Sequence, residues 1–274
     1  MPQTRLPPSP GLEATTSPSH LFSRGSRRIP MLPLAAASTL GLIAGASLPH
    51  ATWQTVLDDN HHLLVVDKGA GLLTVPGRGE GKQDSLLTRL REAGHAISHA
   101  PHRLDRDTSG LIALGRTQAA HKSLATQFQD KLVFKRYEAL CLGWPEVDAG
   151  EVDVAIGKLR RPGESHAVMR VAGPSVDKPR PSRTEWRVLE RCTAGDGTTR
   201  FARVALTPIT GRAHQLRVHM AHIGHPLLGD ELHGDEAAAS AAPRLCLHAA
   251  ELRFAHPATG ESVHVASQPS FGSI

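Results

Sequence analysis

His102-Arg103-Leu104-Asp105-Arg106-Asp107-Thr108-Ser109-Gly110 runs directly into Leu111-Ile112-Ala113-Leu114. A polar stretch closed by Thr-Ser-Gly, then four β-forming apolar residues, reads as a loop that feeds a strand. The loop carries a carboxylate, Asp105, between two guanidiniums, Arg103 and Arg106. Such an arrangement serves one of two ends. Either Asp105 closes a turn on nearby backbone N–H groups and pairs with an arginine, or it is a reactive group held still by the strand behind it.

The chain on either side sets the fold class. Ahead of the loop, His62-Leu63-Leu64-Val65-Val66 is a β-type run with Asp67-Lys68-Gly69 as its turn, and Leu72-Leu73-Thr74-Val75 is another, stopped by Pro76-Gly77. Ser85–Glu92 predicts a helix with Asp84 as N-cap and Leu86, Leu87 and Leu90 on one face. Behind the loop, Thr117 caps a helix over Gln118–Lys131, where Ala120, Leu124 and Phe128 recur every four residues. Strand character returns over Leu132–Leu142, Val152–Ile156, Ala167–Val171, Thr184–Glu190, Phe201–Leu206 and Leu245–Phe254. Many strands with few helices between them predict an α+β fold around a mixed, mostly antiparallel sheet.

The 274 residues, 40% of them hydrophobic, suffice for one large domain or two small ones. The net charge of +5 is unevenly placed. Residues 1–52 hold four arginines against one acid, Glu13, and are rich in Pro, Ser and Ala. Arg24, Arg27 and Arg28 precede the uncharged, Ala- and Leu-rich stretch Met31–Leu48. This leader reads first as an organellar transit segment, then as an extension with no role, and last as a signal peptide or anchor. A transit segment would place the protein in a mitochondrial or plastid matrix; otherwise the cytoplasm is expected. The folded domain is then expected over 53–274.

Three widely spaced cysteines, Cys141, Cys192 and Cys246, fit a reducing compartment and exclude a disulfide framework or a Cys-based zinc site. Among 17 histidines, His219, His222 and His225 recur every third residue near His214, whereas a helical metal site wants an i, i+4 pair, so no metal is expected. No Gly-rich nucleotide loop occurs, and no cofactor is expected. Lys158–Arg191 holds nine basic residues against four acids, which makes either a solvated face or a nucleic-acid contact.

Two further stretches carry chemistry. Lys135-Arg136-Tyr137-Glu138-Ala139-Leu140 holds the chain's single tyrosine, in a strand where its ring is either core or part of a site. In Pro208-Ile209-Thr210-Gly211-Arg212-Ala213-His214-Gln215-Leu216-Arg217-Val218-His219-Met220, Thr210-Gly211 opens a helix and Leu216 and Met220 pack inward. Arg212 then stands at its N-terminus, where free N–H groups favour an anion.

Taken in order, His102–Gly110, Lys135-Arg136-Tyr137 and Gly211-Arg212-Ala213-His214-Gln215-Leu216-Arg217, continued by Gly224-His225-Pro226-Leu227-Leu228-Gly229-Asp230, resemble the three motifs of the RluA-type pseudouridine synthases. The likeness spans roughly Val56 to Ala266. Val75-Pro76-Gly77-Arg78 is similar to the subgroup that acts on both large-subunit rRNA and a tRNA anticodon stem-loop. The resemblance implies an isomerase that detaches uracil at N1 and rejoins it through C5, with no cofactor.

In that scheme Asp105 is the nucleophile, towards either the uracil ring or the anomeric carbon. Arg212, within about 4–6 Å, keeps it ionised. Tyr137 stacks on the target base and assists proton removal from C5. Arg103 fills the space left by the extruded base, and Arg106, Lys135, His214, Gln215 and Arg217 join it in contacting RNA. The expected partner is a structured rRNA or tRNA stem-loop, without DNA or membrane, and the protein is expected to act as a monomer. Two departures stand out. His233 replaces an aromatic residue, commonly tyrosine, which touches local packing, and residues 1–52 do not make an N-terminal RNA-binding module. A catalytically silent RNA-binding protein and a histidine-based metal hydrolase are the rival readings.

Overall fold

The apolar runs on either side of the loop become neighbouring strands. The computed structural model describes residues 52–97, 99–160 and 168–271, all within one of the chain's two compact units, Leu42–Ile274. The leader expectation over 1–52 lies outside the described residues, Thr52 apart. In chain order the elements are β1 (Trp53–Asp58), β2 (Leu63–Lys68), α1 (Leu86–Glu92), β3 (Ser109–Gly115), α2 (Gln118–Gln129), β4 (Phe134–Leu142), β5 (Ala149–Asp153), β6 (Ile156–Leu159), β7 (Val168–Val171), β8 (Val176–Arg180), β9 (Arg183–Thr193), β10 (Arg200–Pro208), α3 (Gln215–His222), α4 (Glu236–Ser240), β11 (Leu247–Ala255) and β12 (Ser262–Ala266).

Nine strands make one sheet in the order β1-β2-β3-β11-β4-β10-β9-β5, with β12 added on β11, and β7-β6-β8 form a separate small sheet. Among the described strands every pairing is antiparallel except β3 with β11, where Ser109 lies opposite His248 and Gly110 opposite Ala249. The α+β class and the mixed, mostly antiparallel sheet are therefore as the sequence implies.

The sheet's centre is buried on both faces, which is why its strands read as unbroken apolar runs. Leu63, Val65, Leu111 and Ala113 pack with Leu124 of α2 and with Phe254. Leu64, Val66, Ile112 and Leu114 turn the other way, onto Leu86, Leu87 and Leu90 of α1 and onto Leu104. Each such leucine, isoleucine or valine contributes about 1.5–3 kcal/mol on leaving water.

Boundaries differ from expectation where a single side chain decides them. Ser85, not Asp84, caps α1 by accepting from Thr88 N, while Asp84 pairs with Arg89. Lys68 completes β2 instead of turning, and of Leu72–Val75 only Leu73 makes a β-bridge, to Ser85. The expected strand Val152–Ile156 breaks at Val154-Ala155, so β5 joins the large sheet and β6 the small one.

Gly110 is the tightest point of this plan. Its φ is +115°, and a Cβ there would run into the backbone N and O of Ala249 across the parallel pair. Gly110→Ala should cost about 3 kcal/mol or more, combining a disfavoured backbone region with a clash against main chain that cannot yield cheaply. Urea unfolding of the two proteins measures this, and a loss under 1 kcal/mol would show that the β3–β11 junction relaxes freely.

Candidate active site

Five residues before Gly110, the segment Leu104-Asp105-Arg106 is held by its backbone on both sides. Thr74 Oγ1 donates to Leu104 O (2.8 Å) and accepts from Leu104 N (3.1 Å). Arg106 O accepts from Gly71 N (2.9 Å) and from Lys68 Nζ (3.1 Å). Lys68 Nζ also donates to Gly69 O (2.7 Å) and Leu72 O (2.8 Å). It is fully buried, and burial pulls its pKa down to about 8 against the fields of Asp107, Asp105 and Asp67. Between two clamped carbonyls the Asp105 side chain is left 32% exposed. The carboxylate that the motif singles out is fixed in place and open to solvent.

Strand register carries the second residue to the same region. Lys68 lies opposite Gly110, Gly110 opposite Ala249, and Ala249 opposite Tyr137. Tyr137, half-buried, packs against the two apolar clusters that flank it. Burial, and then the charge of Asp105, raise the pKa of its phenol, so the hydroxyl keeps its proton.

The third segment differs from expectation. Helix α3 begins at Gln215, not at Thr210-Gly211, with His214 in the left-handed region (φ 53°, ψ 17°) at the N-cap. Gln215 sets this start. Its Oε1 accepts from Thr210 Oγ1 (2.6 Å) and Arg212 N (3.0 Å), and its Nε2 donates to Arg183 O (2.9 Å) and Thr184 Oγ1 (3.0 Å). The Thr210–Arg212 loop is thereby tied to β9 ahead of the helix. Leu216 and Met220 do pack into the core.

Arg212 therefore stands off the helix end. Its Nε donates to Pro181 O (3.3 Å), and among the described residues it forms no ion pair within 4.0 Å, with Asp105 or any other carboxylate. Arg217 is a second cation, beside Lys68, that lies in the field of Asp105. It is buried and bound bidentately by Asp230, Nε to Oδ2 at 2.8 Å and Nη2 to Oδ1 at 2.5 Å. Burial opposes its charge, but the Asp230 bonds and the fields of Asp230, Asp105 and Asp107 outweigh it and raise its pKa. His214 Nε2 lies 4.0 Å from Asp105 Oδ2.

The residues expected to touch RNA divide accordingly. Arg103 and Arg106 are exposed, Arg106 against Asp107 at 2.9 Å. Lys135 is half-buried, its pKa lowered by burial and by Lys131. Gln215 and Arg217 are only 3% exposed, because the first turn of α3 faces inward, and neither is a surface contact. The histidines have individual partners: His219 Nδ1 sits 2.9 Å from Thr184 Oγ1, and His225 Nδ1 sits 3.0 Å from Leu142 O.

Comparison with known proteins bears directly on this arrangement. Residues 62–222 match the family profile described as RNA pseudouridylate synthase. The chain is 41% identical over 217 residues to the dual-specificity RNA pseudouridine synthase RluA of Salmonella typhi, covering 78% of this chain and 93% of that one. It is 37% identical over 223 residues to the RluA enzyme of Pasteurella multocida, covering 81% and 96%. This chain belongs to the RNA pseudouridylate synthase family. Among solved structures, human RNA pseudouridylate synthase domain containing 1 superposes with a TM-score of 0.68 at 30% identity, over 81% of this chain and 86% of that one.

In this pseudouridine synthase the sequence reading missed Lys68, Thr74 and Asp230 as parts of the site. Lys68 left a signal, a basic residue ending an otherwise apolar strand. Asp230 lay inside the Gly224–Asp230 motif with no role assigned. Lys68→Met should lower stability by about 2–4 kcal/mol, since it strands buried carbonyls and removes a charge that Asp105 and Asp107 feel. Urea unfolding tests this, and a loss below 1 kcal/mol would show that the clamp holds without the ammonium.

Proposed function

We propose that this RNA pseudouridine synthase isomerises specific uridines in structured rRNA and tRNA, with Asp105 as nucleophile. One observation carries the assignment. Asp105 is the carboxylate that the fold holds by backbone clamps on both sides while keeping it open to solvent beside Tyr137. A nucleophilic carboxylate needs to be ionised, accessible and immobile, and this one meets the last two conditions by construction.

Two buried cations, Lys68 and Arg217, lie in the field of Asp105, where the resemblance points to Arg212. Tyr137, protonated and half-buried, lies against the place of the target base. Proton removal from C5 by the phenol would then need a base to receive the hydroxyl's own proton, and Asp105, released from the product, would be that base.

RNA of folded shape has to release its uridine from the stack at a cost of a few kcal/mol. The exposed Arg103 guanidinium, next to the Asp105 loop, suits the space left behind. Lys158, Arg160, Lys178, Arg180 and Arg187 are exposed on or next to the small sheet and β9, and supply a basic surface for the backbone. Dual action on rRNA and tRNA is supported by the Val75-Pro76-Gly77-Arg78 likeness and by relatives that carry dual specificity in their names.

Asp105→Asn should lower pseudouridine formation by about four orders of magnitude or more, with RNA affinity and folding nearly unchanged. Mapping pseudouridines across total RNA, with the wild-type protein or the variant as sole source, reads this directly. Sites retained with the variant would remove Asp105 from the chemistry. Arg212→Ala should weaken RNA binding and reduce the salt slope of log K by about 1, leaving kcat nearly intact. A fall in kcat at saturating RNA would instead return Arg212 to the reaction.

A further inference from the structure

His233, the position where the sequence departs from its relatives' aromatic residue, is hydrogen-bonded on both sides of its ring. Arg170 Nη1, on β7, lies 2.9 Å from His233 Nδ1. His233 Nε2 lies 2.8 Å from His214 Nδ1, with the rings nearly perpendicular. The far nitrogen of His214, Nε2, is the one 4.0 Å from Asp105 Oδ2. Arg170 is fixed in turn by Nη1 to Met169 O (2.9 Å), and His233 by its N–H to Asp230 Oδ1 (3.0 Å).

The direction of this chain follows from what each group is able to do. A guanidinium only donates, so His233 Nδ1 accepts and its proton sits on Nε2. That N–H donates to His214 Nδ1, which puts the proton of His214 on Nε2, facing Asp105. The opposite tautomer would turn a lone pair towards a carboxylate. His214 also keeps a left-handed backbone, at a cost of about 1 kcal/mol for a residue with a Cβ, and the chain of bonds is what its ring gains there.

We propose that Arg170 and His233 are positioning residues for the nucleophile: they lock the tautomer of His214 so that an imidazole N–H faces Asp105. The proposal rests on Asp105 being the nucleophile. The groups that face the two rings are Asp105 and Asp107 from the loop before β3, Arg217 from α3, Asp230 from the segment after α3, and Arg170 from β7. Burial keeps both rings neutral at pH 7, His233 to a pKa of about 3, with Arg217 adding to the effect. In a neutral ring the tautomer decides the sign of the potential at Asp105. With the N–H turned inward His214 presents a donor, not a lone pair, to the carboxylate 4.0 Å away; without Arg170 both tautomers are open.

The test uses the full chain labelled with 15N in its histidine rings. Long-range proton–nitrogen correlation spectra distinguish an Nε2–H ring from an Nδ1–H ring, and single His→Gln variants assign the signals. Both His214 and His233 should be Nε2–H tautomers in the wild type at pH 7. Arg170→Met should leave His214 a mixture and lower kcat about tenfold on saturating, unmodified rRNA and tRNA transcripts. His233→Gln should keep wild-type kcat, because its Oε1 accepts from Arg170 and its Nε2 donates to His214, whereas His233→Phe should match Arg170→Met.

An Nδ1–H signal for His214 in the wild type would overturn the proposal. So would unchanged tautomers in Arg170→Met with a higher KM alone, which would make Arg170 an RNA contact. The tautomer spectra involve no turnover, so their outcome is separate from that of Asp105→Asn, on which the nucleophile reading stands or falls.

Discussion

A fully buried ammonium organises the loop that carries Asp105. Moving a lysine head group out of water costs several kcal/mol even after relaxation, so Lys68 is tolerated only because three carbonyls and nearby acids receive it. Hydrogen bonds to a charged donor contribute about 1.5–3 kcal/mol each, so three of them offset much of that cost. Desolvation is the larger influence, and it holds the Lys68 pKa down to about 8. One consequence reaches the site. Because the ammonium binds Arg106 O and Thr74 binds Leu104, the backbone on both sides of Asp105 is fixed.

The sheet supplies the second constraint. A single parallel pair, β3 on β11, interrupts an otherwise antiparallel order and lies in the row that joins Lys68, Gly110, Ala249 and Tyr137. The Asp105 loop ends in this row, and a glycine is required there because the neighbouring backbone occupies the space of a Cβ. Burial on both faces then leaves the row little freedom to slip, since a one-residue shift would turn Leu64, Val66, Ile112 and Leu114 out of the cluster they share with α1.

How far the sequence reveals this depends on the range of the forces involved. The strands were legible because their apolar runs are local, and so were the faces of α1 and α2. Asp105 and Tyr137 were legible through a resemblance in motif order. Arg212 and Arg217 were not separable from sequence, because the choice turns on where α3 begins. That point is set by Gln215 reaching Arg183 and Thr184, some thirty residues back along the chain. Lys68 ended an apolar run and so resembled a turn, when its stem completes the strand and its head turns under the loop. The His214–His233–Arg170 chain joins three distant segments through side-chain atoms alone, and no spacing announces it.

The pairing of Arg217 with Asp230 explains how a buried cation can sit in the field of Asp105 while its own bonds are satisfied elsewhere. An arginine at the surface, like Arg212, is screened by water and salt and shifts a neighbouring acid little. A buried guanidinium acts through a lower effective dielectric, so its field reaches further. Left without a partner in the interior, however, its charge would be strongly destabilising. Asp230 takes the Nε and Nη2 donors of Arg217 at 2.8 and 2.5 Å, which satisfies the fork while leaving part of its field to act on Asp105. Asp105 thus lies in the field of a buried cation whose strongest bonds are committed to Asp230.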